Sequence, residues 1–366
     1  MTILRLLLVT DAVGGVWVYS LELARALRPL GVETVLAVMG PSPREDQREE
    51  ASDFRLIDTG LPLEWLDADP SELARAGEAL ARLAADERVD IVQTSSAALL
   101  ADADFAQPTV AMQHSCVASW WAAVKGTPLP EEFEWRRELV KRGLERADVI
   151  VAPSIAFAAQ TSRLYGAHVH AVHNGRSLRC ARELPQGEFV FTAGRLWDEG
   201  KNAATLDAAA ALLRAPFQAA GSTQGPNGAS IALKHAEALG SLSQTALAGL
   251  YAARPIYASA ALYEPFGFSV LEAAQAGCAL VLSDIPTHRE IWDGAAIFVD
   301  GRDGAGFARA IQDLLDDADG REQLGQLSRS RAAQYTPERI ARSMFDLYAR
   351  LAPQVAAQPI RMAGAA

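Results

Sequence analysis

The stretch Tyr263-Glu264-Pro265-Phe266-Gly267-Phe268-Ser269-Val270-Leu271-Glu272-Ala273-Ala274-Gln275-Ala276-Gly277 concentrates residue types that could do chemistry. Pro265 biases Glu264 away from helical geometry, and Ser269 to Ala276 reads as a helix closed by Gly277. Glu264 is therefore expected on an approach loop and Glu272 inside the helix. Between them lie the unpaired N–H groups of a helix start, from Gly267 through Phe268 and Ser269 to Val270, which together with the helix dipole can bind a phosphate. Carboxylates beside a phosphate repel it unless they are occupied, and sugar and ribose hydroxyls are the donors that would occupy them. The competing reading is two surface acids flanking a core helix. The Glu-Pro-Phe-Gly turn followed by the second glutamate favours the functional one.

A second cluster is Phe191-Thr192-Ala193-Gly194-Arg195-Leu196-Trp197-Asp198-Glu199-Gly200-Lys201-Asn202. It reads as a buried strand ending in Gly194, followed by two cations, Arg195 and Lys201, before a new helix. Arg offers a rigid fork and Lys a mobile point charge, a pairing suited to a diphosphate leaving group. Taken alone, the segment fits solvent-facing loop cations equally well. His114 follows the apolar run Thr109–Gln113 and so stands at a strand end, where a structural histidine is the ordinary alternative.

These residues need elements to hold them at strand ends. Short apolar runs recur, each followed by a turn and a longer amphipathic segment: Leu4–Thr10 then Gly15–Leu27, Thr34–Val38, Asp90–Thr94, Thr109–Gln113, and Val149–Ala152 then Ser154–Leu164. Such alternation indicates a doubly wound α/β domain with a parallel sheet covered on both faces. After Asn174-Gly175 the chain turns polar, and the alternation restarts with Phe189–Thr192, Ala203–Leu213, Ile256–Ser259, Phe268–Ala276, Ala279–Ser283, Ala296–Val299 and Gly306–Leu315. The reading is two Rossmann-like domains, 1–178 and 186–335, a C-terminal helix over 336–352 started by Thr336-Pro337 and crossing back to the first domain, and a loose tail over 353–366. Two such domains facing one another create a cleft, with ligands at the carboxyl ends of the strands.

At this point the sequence resembles the retaining glycosyltransferases of family 4, which have the GT-B fold. The most specific feature is the Glu264…Glu272 spacing, and the likeness extends over nearly the whole chain. The resemblance implies that Glu264 contacts the transferred sugar, Glu272 the ribose hydroxyls, and Arg195 and Lys201 the diphosphate of a nucleotide-sugar donor, with main-chain N–H groups around Phe268 and Ser269 completing the phosphate site. Gly194, Phe266 and Gly267 shape that site. His114 would hold the transferred sugar, and Gly15, from the pair Gly14-Gly15, would let a helix start approach the donor diphosphate or the acceptor; a tight strand–helix turn is the alternative. The glycine loop from Gly221 to Gly228 would lie near the donor, and Leu239-Gly240-Ser241-Leu242 would read the nucleobase through main-chain groups. The implied reaction is a hexosyl transfer with retention, the acceptor being a glycan, a lipid-linked molecule or a small molecule. A nucleotide-sugar epimerase or hydrolase on the same fold, and a non-catalytic sugar-binding or partner protein, are the rival readings.

Composition narrows the field further. The chain has 366 residues and a formal charge of −11, with no Lys/Arg block that would mark a nucleic-acid partner. Cys116, Cys180 and Cys278 lack metal-like spacing and are expected as thiols of a reducing cytosol. His168, His170 and His173 are joined by no further ligand at metal spacing, the first two being read on one face of a strand, and no Asp-x-Asp motif occurs. No metal and no separate cofactor are therefore expected. Thr10-Asp11-Ala12-Val13-Gly14-Gly15 is not a nicotinamide fingerprint. Trp120 and Trp121 are read as stacking on a sugar at the acceptor mouth or, equally, as core. No stretch is long and apolar enough to span a membrane, and the opening apolar run reads as a buried strand, so a cytoplasmic protein is expected; peripheral membrane contact stays open through the basic and aromatic segment Trp135–Lys141.

Overall fold

The computed structural model describes residues 4–66, 69–178 and 184–353. The chain divides into two compact units: Met1–Ser119, Leu129–Gly175 and Pro337–Ala366 form the first, and Trp120–Pro128 with Arg176–Thr336 form the second.

In the first unit seven strands pair in parallel: β1 (Leu4–Asp11), β2 (Val32–Met39), β3 (Arg55–Asp58), β4 (Ile91–Thr94), β5 (Thr109–Met112), β6 (Val149–Ala152) and β7 (His170–Ala171). Their order is β3-β2-β1-β4-β5-β6-β7. The central strands are continuous apolar runs because helices cover both faces: Leu6, Leu7, Leu8 and Val9 are all buried. The helix Pro70–Asp86 starts with a reciprocal cap, the Asp69 side chain accepting from the Glu72 N–H while the Glu72 side chain accepts from the Asp69 N–H. The last helix, Pro337–Leu351, packs on Gly15–Leu27 of this unit. The Tyr348 hydroxyl donates to Gln93 Oε1 at 2.5 Å, and the Gln93 amide donates to the Tyr19 hydroxyl at 2.9 Å. This buried polar chain fixes the seat of the C-terminal helix more specifically than apolar contact alone.

The second unit carries six parallel strands: β8 (Val190–Ala193), β9 (Phe217–Ala220), β10 (Glu237–Gly240), β11 (Ile256–Ser259), β12 (Leu280–Ser283) and β13 (Ile297–Val299), in the order β10-β9-β8-β11-β12-β13. The strand order reverses at β1/β4 in one sheet and at β8/β11 in the other. Those are the switch points where the loops diverge and open parallel sheets take ligands. In the second unit the loops at that point carry Gly194–Lys201 and Glu264–Gly267.

Three sequence expectations change. The strand expected to align His168 with His170 shrinks to His170–Ala171, and the two exposed rings meet edge to face at 4.8 Å. Polar edge strands β3 and β10 are present where no apolar run marks them. Arg176, inside the bounds 1–178 expected for the first domain, opens a segment of the second unit, and its side chain is buried. Cys116 and Cys278 are buried, whereas Cys180 and the tail 354–366 lie outside the described residues. No helix among the described residues is long and apolar enough to cross a membrane.

Candidate functional site

The loop after β8 turns through a single helical turn, Glu199–Lys201, which Asp198 caps by accepting from the Gly200 N–H at 2.9 Å. Asn202 closes that turn in the left-handed region, at φ +53°, and its amide donates to Ala260 O at 3.0 Å and Gly301 O at 2.6 Å. The Leu262 N–H donates to Gly200 O at 2.8 Å. The loops after β8 and β11 are thereby tied together, and Lys201 Nζ meets Glu264 Oε2 at 2.5 Å.

Asp198 organises the rest of the loop. It also accepts from Trp120 Nε1 at 2.9 Å and from Arg195 at 3.0 Å. Burial alone would raise its carboxyl, but Arg195, Lys201 and these hydrogen bonds outweigh burial and hold it below the usual carboxylate range. Arg195 is thus restrained through its guanidinium, which also lies over the Trp197 ring at 5.7 Å, while the residue stays exposed.

The helix Phe268–Ala276 begins at Gly267, which adopts φ +97° and offers no side-chain cap. The first helical bond runs from the Leu271 N–H to Gly267 O, so the N–H groups of Phe268, Ser269 and Val270 precede it. A Cβ on Gly267 would stand 3.3 Å from Glu264 Cγ, which places the helix start directly against that carboxylate. Phe266 is buried against Phe268 and Tyr335 and pins the turn. The Ser269 side chain bonds Tyr257, whose hydroxyl donates to Ala193 O at 3.3 Å beside Gly194. Leu242 packs against the same core. Two cations, a helix start and two carboxylates therefore share the switch-point end of one sheet, a set able to bind an anion and present acceptors to hydroxyls.

Glu272 lies deeper than a surface acid and is only 4% exposed. Its partner is Arg176, from the polar stretch that follows Asn174-Gly175. Burial raises the Glu272 carboxyl, and the pull of Arg176 does not cancel it.

In the first unit Gly15 is exposed and opens its helix after a turn in which Asp11 Oδ1 accepts from the Val13 N–H at 2.8 Å. His114 follows β5, with its ring edge-on to Tyr19 at 4.5 Å. Its Nε2 is buried with no hydrogen-bond partner among the described residues, and loss of solvation pushes its pKa down to about 3. His114 is therefore neutral near neutrality, a hydrogen-bonding group and not an acid.

Trp120 and Trp121 belong to the second unit, where Trp120 bonds Asp198 and Lys125 meets Glu199 at 2.5 Å; the Trp120 side chain is a support for the β8 loop. In the segment read as a possible membrane contact, the Arg136 guanidinium covers Trp135 at 4.8 Å. Among the described residues no group of three or more His, Cys, Asp or Glu converges as a metal site.

Glu64, which the sequence reading missed, follows β3 and accepts from the Ser96 hydroxyl; burial pushes its pKa up to about 7 despite Arg136. A carboxyl raised in the folded state contributes stability below its unfolded value, and that contribution is lost as pH climbs through the folded one, here from about 4.5 to about 7. Glu64→Gln is accordingly expected to melt a few degrees above wild type at pH 8, with the gap closing toward pH 5 in thermal denaturation.

With the geometry in place, comparison with known proteins identifies the architecture. A family model described as Glycosyltransferase Family 4 matches residues 13–179, and one described as Glycosyl transferases group 1 matches residues 187–317. A curated relative, the D-inositol 3-phosphate glycosyltransferase of Corynebacterium kroppenstedtii, is 35% identical over 106 residues, a stretch covering 28% of this chain and 23% of that relative. Among solved structures, sucrose-phosphate synthase from Thermosynechococcus elongatus superposes with a TM-score of 0.77 at 20% identity, covering 95% of this chain and 99% of that one. HepE from Anabaena, in complex with UDP and glucose, gives 0.74 at 16% identity, covering 95% and 100%. At these identities the structural likeness establishes the fold, which is GT-B.

Proposed function

The chain belongs to the family 4 glycosyltransferases, and on that premise we propose that it moves a hexose-type sugar from a nucleotide-diphosphate sugar to an acceptor, with retention and without a metal ion. The acceptor is a glycan, a lipid-linked molecule or a small molecule. The observation that carries this reading is the junction of Lys201, Glu264 and the uncapped helix start at Gly267, at the switch point of the second unit. The uridine diphosphate present with the Anabaena relative is in keeping with a donor of this class.

In this reading the diphosphate lies on the N–H groups of Phe268 and Ser269 with Arg195 and Lys201 around it, Glu272 accepts from the ribose, and Glu264 accepts from the sugar. As the bond from the anomeric carbon to the phosphate oxygen breaks, negative charge grows on the diphosphate. In this reading the two cations and the helix start stabilise that growing charge. The acceptor oxygen bonds to the anomeric carbon, and its proton passes to the departing phosphate oxygen. His114, neutral, serves the sugar through hydrogen bonding. Arg195 and Lys201 supply the positive charge that a divalent ion would otherwise provide.

The test is product analysis with UDP-, GDP- and ADP-sugars and a panel of acceptors in the presence of EDTA. The expected outcome is an acceptor glycoside with the anomeric configuration of the donor, by proton NMR, at a rate EDTA leaves unchanged. An inverted product, loss of activity on chelation, or release of free sugar alone would each overturn the corresponding part of the reading.

A further inference from the structure

Glu272 is held from behind. The side chain of Arg176 is buried, with Nη1 on Glu272 Oε1, while Nη2 donates to Gln244 Oε1 at 2.7 Å. The backbone around it is fixed to the same helix: Arg176 O accepts from Gln275 Nε2, and the Leu178 N–H donates to Gln275 Oε1 at 2.8 Å. The Arg176 N–H donates to Tyr335 O at 3.2 Å. Gln275 lies one helical turn beyond Glu272, so the strap Arg176–Leu178 grips the helix at two successive turns. Arg176 Nε is buried without a hydrogen-bond partner among the described residues.

As a device for stability this arrangement is poor. A buried ion pair recovers little more than its desolvation cost, and an apolar pair of similar volume would do as well. What an apolar pair cannot do is keep a buried carboxylate charged and aimed. The other groups that influence Glu272 are Tyr251, from the helix Gln244–Ala252, and Tyr257, from β11. Burial keeps both phenols protonated, so neither supplies a positive charge. Arg176 supplies it, and the two carboxylate oxygens have lone pairs enough to take a further donor.

We propose that Arg176 is a positioning residue for the donor: it fixes the Glu272 carboxylate in the orientation from which it accepts the ribose hydroxyls of a nucleoside diphosphate. This rests on the reading of Glu272 given above. It adds a requirement that the strap be seated before the ribose can be read.

The experiment measures dissociation constants of UDP, GDP and ADP and of their 2′- and 3′-deoxy counterparts for wild type, Arg176→Met, Arg176→Gln, Arg176→Lys, Glu272→Gln and the double variant Arg176→Met/Glu272→Gln. Wild type is expected to bind one diphosphate and to lose about 10- to 100-fold on removal of a ribose hydroxyl, the range for a hydrogen bond to a charged group. Arg176→Met should bind the parent nucleotide weaker by a similar factor and no longer discriminate the deoxy compounds. Arg176→Gln, which keeps a polar group at the position, carries the same expectation if the methionine variant does not fold. Arg176→Lys should recover part of the loss, and the double variant should be no weaker than Glu272→Gln. In turnover the donor KM rises while kcat changes less than about threefold.

Wild-type affinity with an undiminished deoxy penalty in Arg176→Met or Arg176→Gln would overturn the proposal. So would a double variant clearly weaker than Glu272→Gln, because Arg176 would then act on something other than Glu272. Failure of wild type to bind any of the three diphosphates would instead remove the donor-site reading, and this inference with it.

Discussion

Lys201→Met is expected to lower kcat by about 100- to 1,000-fold while changing nucleotide affinity by about tenfold or less. The reasoning starts from the pair that the structure shows, Lys201 Nζ and Glu264 Oε2 at 2.5 Å, largely shielded from water. In the proposed reaction Lys201 matters most as the diphosphate leaves and negative charge grows. Removing it takes away a charge aimed at the transition state and leaves Glu264 without its partner. Steady-state kinetics with the donor that wild type uses provides the check, and Lys201→Arg should retain more activity because it keeps the charge. A Lys201→Met enzyme within about threefold of wild-type kcat would show that the cation is not part of the machinery.

The second large effect is structural and reaches the site through packing. Gly221 follows β9 at φ +133°, and a Cβ there would lie 1.7 Å from Gly194 O. The backbones after β8 and β9 approach so closely that no side chain fits, and the conformation is one that L residues avoid. Gly221→Ala is expected to cost about 3–5 kcal/mol, combining backbone strain with overpacking, and to lower the melting temperature by roughly 10 °C. Because the displaced partner is Gly194, immediately before Arg195, surviving folded protein should also lose activity. Calorimetry together with the specific activity of the folded fraction tests both halves. A variant that melts within about 2 °C of wild type would contradict the close approach.

Local signals made part of this molecule legible. The helix Phe268–Ala276 was readable at both ends, because Pro265 and Gly267 exclude a helix before it and Gly277 terminates it in the left-handed region. The runs that became β6 and β11 were read with the bounds they adopt, since strands buried on both faces need uninterrupted apolar residues. The edge strands β3 and β10 went unread for the converse reason: neither holds a fully buried residue, so no apolar run marks them. The helix Pro70–Asp86 had a usable signature in Asp69, Pro70 and Glu72 that the apolar-run reading passed over.

The site divides in the same way. Glu264, Glu272, Arg195 and Lys201 stood out because their types cluster beside glycine turns. Arg176 and Asp198 did not, because their roles depend on partners far along the chain: Arg176 meets a glutamate in another segment, and Asp198 accepts from Trp120, 78 residues away. A polar stretch after Asn174-Gly175 reads as linker until the carboxylate that buries its arginine is known. Local sequence reports which residues can ionise. It does not report which of them the fold will take out of water.

The most direct measurement of the central claim is a thermal-shift titration of wild type and Glu272→Ala with UDP-, GDP- and ADP-sugars in EDTA. The account predicts that one nucleotide class stabilises wild type in proportion to the logarithm of ligand concentration, and that Glu272→Ala loses most of that shift while remaining folded. Absence of any shift with every nucleotide sugar and every free nucleoside diphosphate, in a folded wild-type protein, would contradict it.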